Sequence, residues 1–142
     1  REASPTSVSG ILALIRPLEK EGLLVKRPRE LIETEVKHFR VIERDGMVVA
    51  CAALYPFGNK GELACLATHS QYRNDNRGEL LLKRIESDAK MQGLSAIFVL
   101  TTQAEHWFSE RGFVKTAIEV LPESRKALYN YQRNSKYLEK TL

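Results

Sequence analysis

"QYRNDNRGELLLKRIESDAKMQG", residues 71–93, opens as a polar loop and becomes an amphipathic helix with no proline or apolar pause between them. Over 79–92, Leu82, Ile85 and Ala89 share one helical face, with Leu81 beside them. Lys83, Arg84, Glu86, Asp88 and Lys90 fall largely outside that stripe, and Gly93 serves as a C-cap. A helix N-terminus carries unpaired N–H groups and a partial positive charge, so it holds anions well. Arg73, Asn74, Asp75, Asn76, Arg77 and Gly78 crowd that point, and two arginines with a glycine suit a phosphate cradle. An ordinary polar loop with Asn76 as N-cap fits the same residues, so the stretch alone leaves both readings open.

The chain on either side supplies the context. "VSGILALIRPLEKEGLL" has helical spacing, with apolar residues at 8, 11, 12, 14, 15 and 18 and with Pro17 expected to kink or break it. "PRELIETEVKHF" puts Pro28 at a helix start and Leu31, Ile32, Val36 and Phe39 on one face. The period then changes to that of strands. "FRVIERDGMVVACAALYPF" reads as two strands joined at Asp45-Gly46, and "GNKG" (58–61) is a second turn leading into a third strand, "ELACLATHS". Beyond Gly93, "SAIFVLTT" (95–102) is a buried strand, "AEHWFSERG" a short helix and "FVKTAIEVL" a strand. "PESRKALYNY" is a helical turn or short helix and "QRNSKYLEK" a final strand. Helices, an antiparallel meander and then strand–helix–strand units predict an α+β fold on a mixed sheet.

The bulk properties narrow the function. The 142 residues suit one domain spanning 1–142, in which "REASPTS" (1–7) is linker-like and suggests a segment of a longer protein. Hydrophobic content of 43% and charged content of 28% are those of a soluble globular chain. No run approaches the roughly 18 apolar residues of a membrane span, and no signal-peptide pattern opens the sequence. A net charge of +4 with interspersed acids fits a small anionic ligand better than a nucleic-acid track. Arg and Lys with Tyr129 and Tyr131 offer only a weak case for nucleic acid. Cys51 and Cys65 sit in apolar strands without zinc spacing, and His38, His69 and His106 are scattered, so no metal is expected. Reduced cysteines suit a cytoplasmic setting.

Two motifs at the right separation carry a resemblance. Arg73-Asn74-Asp75-Asn76-Arg77-Gly78 resembles the Q/R-x-x-G-x-G/A cofactor loop of the GNAT N-acetyltransferase superfamily, with Asn76 in place of the first glycine. Asn tolerates left-handed backbone better than most residues. "HWFSERGF" resembles the superfamily's aromatic-aromatic-x-x-x-Gly-Phe signature over Trp107 to Phe113, although an amphipathic helix with an aromatic core face would read the same way. "LIRPLEKEGLLVKR", "ACAALYPF", "GELACLA", "LTTQAEHWFSERGF" and "LPESRKALYNYQRNSK" resemble, more closely, the acetyltransferase domain of the bacterial N-acetylglutamate synthase family. That resemblance implies a GNAT fold and transfer of acetyl from acetyl-CoA to the α-amine of L-glutamate, the first step of arginine biosynthesis. It also implies an amino-acid-kinase-like partner domain elsewhere in the full protein, and it is compatible with a homo-oligomer.

The same resemblance assigns roles. Residues 73–78 hold the CoA pyrophosphate, with Arg73 and Arg77 as charge partners. Cys65, Leu66 and Ala67 pair their backbone with the pantetheine amides as an added strand would, and one N–H there polarises the thioester. Glu62 matches the proposed base, the alternative being an exposed strand-end carboxylate beside Lys60. Thr101 matches a proposed hydroxyl and is credited with a hydrogen bond only. The tyrosine acid common in the superfamily is Phe108 here. Arg16, Arg125, Arg133 and Ser135 are the matches for the two glutamate carboxylates, with Lys126 adjacent, and paired Arg–carboxylate geometry suits that task. An acyl-Cys65 intermediate is disfavoured because an apolar strand offers no histidine to activate the thiol. Acetylation of another small amine or a protein lysine, and a non-catalytic CoA-binding module, are the alternatives.

Overall fold

The computed structural model describes residues 7–20, 28–44, 46–69, 77–101, 104–117 and 136–142. Among the described residues four helices run α1 (Val8–Lys20), α2 (Arg29–Glu35), α3 (Arg77–Met91) and α4 (Glu105–Ser109). Six strands run β1 (Phe39–Arg44), β2 (Met47–Phe57), β3 (Lys60–Thr68), β4 (Ala96–Thr101), β5 (Val114–Thr116) and β6 (Lys136–Thr141). The strands form one mixed sheet in the order β1-β2-β3-β4-β6-β5, as the α+β reading expects. Two compact units divide the chain, Arg1–Leu54 with Cys65–Ile85, and Tyr55–Ala64 with Glu86–Leu142.

In the first unit, α1 buries Val8, Ile11, Leu12, Leu14 and Ile15. Pro17 does not break it, and the helix continues to Lys20. Proline removes the bond to the carbonyl four residues back, which is that of Ala13. Ala13 and Pro17 are both exposed, so water can satisfy that group. The Arg16–Glu19 ion pair, 2.6 Å, also spans the proline and braces the last turn. Gly10 lets this helix approach β2, because a Cβ there would lie 2.6 Å from Val48 Cγ2.

Helix α2 starts behind Pro28 and lasts seven residues before a 3₁₀ turn over Val36–His38. Its buried side is Ile32 alone; Leu31 is exposed and Phe39 already belongs to β1, so the expected four-residue face does not form. Strands β1 and β2 pair antiparallel from Phe39↔Ala53 to Arg44↔Met47, with an irregularity at Ile42/Glu43. The turn between them carries Gly46 at φ 77°, the left-handed backbone that a tight hairpin requires. Residues Val48 to Leu54 are buried without alternation, and the small Ala50, Cys51, Ala52 and Ala53 fill a strand covered on both faces.

In the second unit, β2 turns into β3 through Gly58 and Asn59, so Lys60 is already strand and the turn is shorter than the 58–61 reading. Strand β4 pairs antiparallel with all of β6, and β5 extends the sheet beside β6. Phe98 and Tyr137 meet as a tilted pair, 5.5 Å between ring centres, and Phe57 and Leu100 pack against them. Helix α3 ends in a Schellman motif: the Gly93 N–H donates to Lys90 O and the Leu94 N–H to Ala89 O, with Gly93 at φ 79°. The helix begins at Arg77, two residues earlier than the apolar stripe indicates, because Arg77 and Gly78 form its first turn.

Candidate active site

Strand β3 holds four of the candidate positions, Glu62, Cys65, Leu66 and Ala67. In the second unit it runs parallel to β4 for three pairs only, Lys60↔Ala96, Gly61↔Ile97 and Glu62↔Phe98, and the ladder ends there. Glu62 is 7% exposed, so it is a buried carboxylate at the end of a ladder and not a solvated strand-end charge. Lys60 does not serve it as counterion. The Lys60 Nζ reaches Glu139 Oε1 on β6 at 2.7 Å, and the Tyr137 hydroxyl donates to that same oxygen. Burial, followed by the hydrogen bond and charge of Glu139, pushes the Tyr137 phenol above its ordinary range.

Thr101 ends β4, and its Oγ1 accepts the Ala104 N–H at 3.0 Å just before α4. That leaves the hydroxyl hydrogen to be donated elsewhere. In α4 the aromatic pair behaves as a core face. Phe108 is buried and packs edge-on against Trp107 at 4.9 Å and Phe113 at 5.2 Å. Gly112, at φ 96°, closes the turn that brings Phe113 back onto Phe108, which explains the glycine in the motif. Arg111 lies over the Trp107 ring at 3.9 Å and donates to the Trp107 carbonyl.

In the first unit, β3 continues through Cys65, Leu66 and Ala67 with an unexpected backbone. Cys65 has φ 56°, and among the described residues it alone departs from glycine at positive φ. A left-handed L-residue costs about 1–2 kcal/mol, so surrounding contacts must hold it. One is visible: the buried Cys51 Sγ–H donates to the Cys65 carbonyl at 3.4 Å. Burial, with the nearby Cys65 adding to it, pushes the Cys51 thiol well above its ordinary range. The sulfur is therefore a hydrogen-bonding group and not a nucleophile. Strand pairing with β2 persists beyond this point, where the His69 N–H reaches Val49 O at 2.7 Å.

Arg77 opens α3 and is buried, and Gly78 follows it half-buried. Arg16 is partly exposed on α1 and ion-paired to Glu19, whose side chain is buried. Arg73, Asn74, Asp75, Asn76, Arg125, Arg133 and Ser135 lie outside the described residues. Among the described residues no group of three metal-ligating side chains forms, and no helix is long and apolar enough to cross a membrane. Sequence reasoning missed Cys51, Glu19 and the Lys60–Glu139–Tyr137 network. Nothing in local pattern signals them, since Lys60 and Glu139 are 79 residues apart.

Residues 35–115, more than half of the chain, match the family model for the acetyltransferase (GNAT) domain. The chain belongs to the GNAT acetyltransferase family. This GNAT domain is 56% identical over its whole length to the "Amino-acid acetyltransferase" of Pseudomonas putida (strain GB-1), covering 33% of that protein. It is 56% identical over 97% of its length to the protein of the same name from Salmonella arizonae, covering 32% of it. It thus spans about a third of the length of the curated relatives it matches. All of it superposes on N-acetylglutamate synthase from Neisseria gonorrhoeae complexed with coenzyme A and N-acetyl-glutamate, with a TM-score of 0.97 and 41% identity over 34% of that chain. A GNAT-family acetyltransferase from Staphylococcus aureus shares the fold at a TM-score of 0.83 and 20% identity, covering 100% of this chain and 97% of that one.

Proposed function

We propose that this GNAT domain, residues 1–142, transfers the acetyl group of acetyl-CoA to the α-amine of L-glutamate by direct attack. The observation that carries the reading is β3 itself, a strand whose ladder with β4 stops at a buried carboxylate and which kinks into left-handed backbone three residues later. Its support from likeness is the 41% identity to a protein whose structure holds coenzyme A and N-acetyl-glutamate.

Each residue then has a task. Glu62 accepts the ammonium proton, directly or through water, and so produces the free amine that attacks the thioester carbon. A backbone N–H of the Cys65–Ala67 segment stabilises the oxyanion that forms, while the neighbouring amides pair with pantetheine. Collapse of the tetrahedral intermediate expels the CoA thiolate, which takes up the proton that the amine nitrogen loses as the amide forms, and the Thr101 hydroxyl hydrogen-bonds to the departing sulfur. The loop 73–76 with Arg77 and Gly78 holds the pyrophosphate at the start of α3. Arg16, Arg125, Arg133 and Ser135 receive the two carboxylates. The full protein works in the cytoplasm at the first step of arginine biosynthesis and carries an amino-acid-kinase-like domain as well.

Thiol release from acetyl-CoA, measured across the common amino acids, tests the reading. Glutamate should be acetylated well and glutamine poorly, since glutamine keeps the α-carboxylate and loses the side-chain charge. Equal rates would replace the dicarboxylate pocket with a general small-amine site. Tight acetyl-CoA binding with no thiol release for any amine would leave a CoA-binding module.

A further inference from the structure

We infer that Cys51 is a positioning residue for the thioester-polarising N–H, its thiol holding the Leu66 peptide group of β3 in the orientation that acetyl transfer uses. The inference rests on the reading of β3 as the thioester-binding strand.

The geometry around Leu66 carries it. Cys51, in the fully buried middle of β2, donates its S–H to the Cys65 carbonyl at 3.4 Å. The Ala67 backbone N–H also approaches the same sulfur. One sulfur therefore bridges the residues on either side of Leu66. No peptide bond among the described residues is cis, so the Cys65 C=O and the Leu66 N–H point in opposite directions. With the carbonyl held toward Cys51, the Leu66 N–H is turned away from it. Cys65 at φ 56° is what permits that turn, and an L-residue does not stay there unaided.

A thiol suits this role better than its usual neighbours in a strand. A longer bond to sulfur and a soft, polarisable atom let one side chain touch both a carbonyl and an N–H two residues apart. Burial keeps the proton on sulfur, so the donor persists throughout the neutral range. Valine has nearly the same shape and can do neither.

The test compares Cys51→Val and Cys51→Ser with the wild-type protein, using acetyl-CoA labelled with carbon-13 at the thioester carbonyl. Difference infrared spectroscopy reads the polarisation of the bound carbonyl, calorimetry reads acetyl-CoA affinity, and thiol release with glutamate reads turnover. Removing an oxyanion donor outright costs about 10²–10³ in kcat, and a misplacement of about 1 Å can cost about 10². Cys51→Val is therefore expected to lower kcat by about 10-fold to 100-fold, with a reduced carbonyl shift and acetyl-CoA affinity within about threefold. Serine, which keeps a donor and an acceptor, should recover much of the shift and of the rate. A merely structural cysteine would lower melting temperature in both variants without moving the carbonyl band of the folded fraction, and that result overturns the inference. If the wild type itself shows no carbonyl shift on binding, the reading of β3 fails instead. If the wild type shows the shift and Cys51→Val keeps it with full turnover, only the role of Cys51 fails.

Discussion

Replacing Gly10 by alanine sets two effects of known size against each other. In an isolated helix the change is stabilising by about 1 kcal/mol, since glycine loses more backbone freedom on folding. In this protein the new Cβ would lie 2.6 Å from Val48 Cγ2 and 2.8 Å from Val48 Cβ, where ordinary contact begins at 3.4 Å. The shortfall, 3.4 less 2.6, is 0.8 Å, and Val48 is a buried β-branched residue whose Cβ is fixed to the strand. The helix must retreat or the strand must bend. Overpacking of this kind costs about 1–3 kcal/mol, so the clash outweighs the propensity gain and the net loss is about 1 kcal/mol. For a chain of this length that lowers the melting temperature by about 3–4 °C. A functional consequence follows from Arg16, which the same helix carries six residues on. A retreat of α1 should raise the Michaelis constant for glutamate by about tenfold while leaving that for acetyl-CoA within about twofold. Thermal melts by circular dichroism and thiol-release kinetics read both quantities. Gly10→Ala with Val48→Ala should recover part of each, because Cγ2 is gone while Cβ remains. A Gly10→Ala protein at least as stable as wild type, with unchanged kinetics, would show that the approach of α1 to β2 is not tight.

Glu62→Gln removes the base but keeps the shape, and should lower turnover by about 10²-fold or more with acetyl-CoA affinity little changed; an untouched pH–rate profile would make Glu62 a bystander. Gly78→Val places a β-branched side chain in the first turn of α3, where phosphate must approach backbone, and should weaken acetyl-CoA binding measured by calorimetry. Tyr137 has its phenol raised in the folded state, so the native protein holds that proton where the unfolded chain releases it. Stability should fall as pH rises above about 10, and denaturant melts of Tyr137→Phe should show a shallower alkaline loss. Arg133→Ala should raise the Michaelis constant for glutamate strongly, by the equivalent of about 2–5 kcal/mol, with Lys at this position rescuing only in part because an ammonium lacks the guanidinium fork.

What was legible in the sequence is what short-range physics decides. The stripe of Leu82, Ile85 and Ala89, the Gly46 hairpin and the Gly93 cap each follow from a local period or from a backbone angle that only glycine adopts easily. The order of those elements determined the α+β class, and the two motifs flanking β4 pointed to the GNAT family. Burial and pairing are different, because each depends on two partners remote in sequence. The proline of α1 is tolerated where Ala13 and Pro17, the two ends of the lost bond, are both exposed, a fact of packing and not of the proline itself. Whether Glu62 is buried or exposed was undecidable along the chain, since Lys60 beside it could have been its counterion. Tertiary structure sends Lys60 to Glu139 instead, across 79 residues. Cys65 offers the clearest case. No residue preference places a cysteine in left-handed backbone, and the contacts that hold it there, the Cys51 thiol of the neighbouring strand against its carbonyl among them, exist only once the chain has folded.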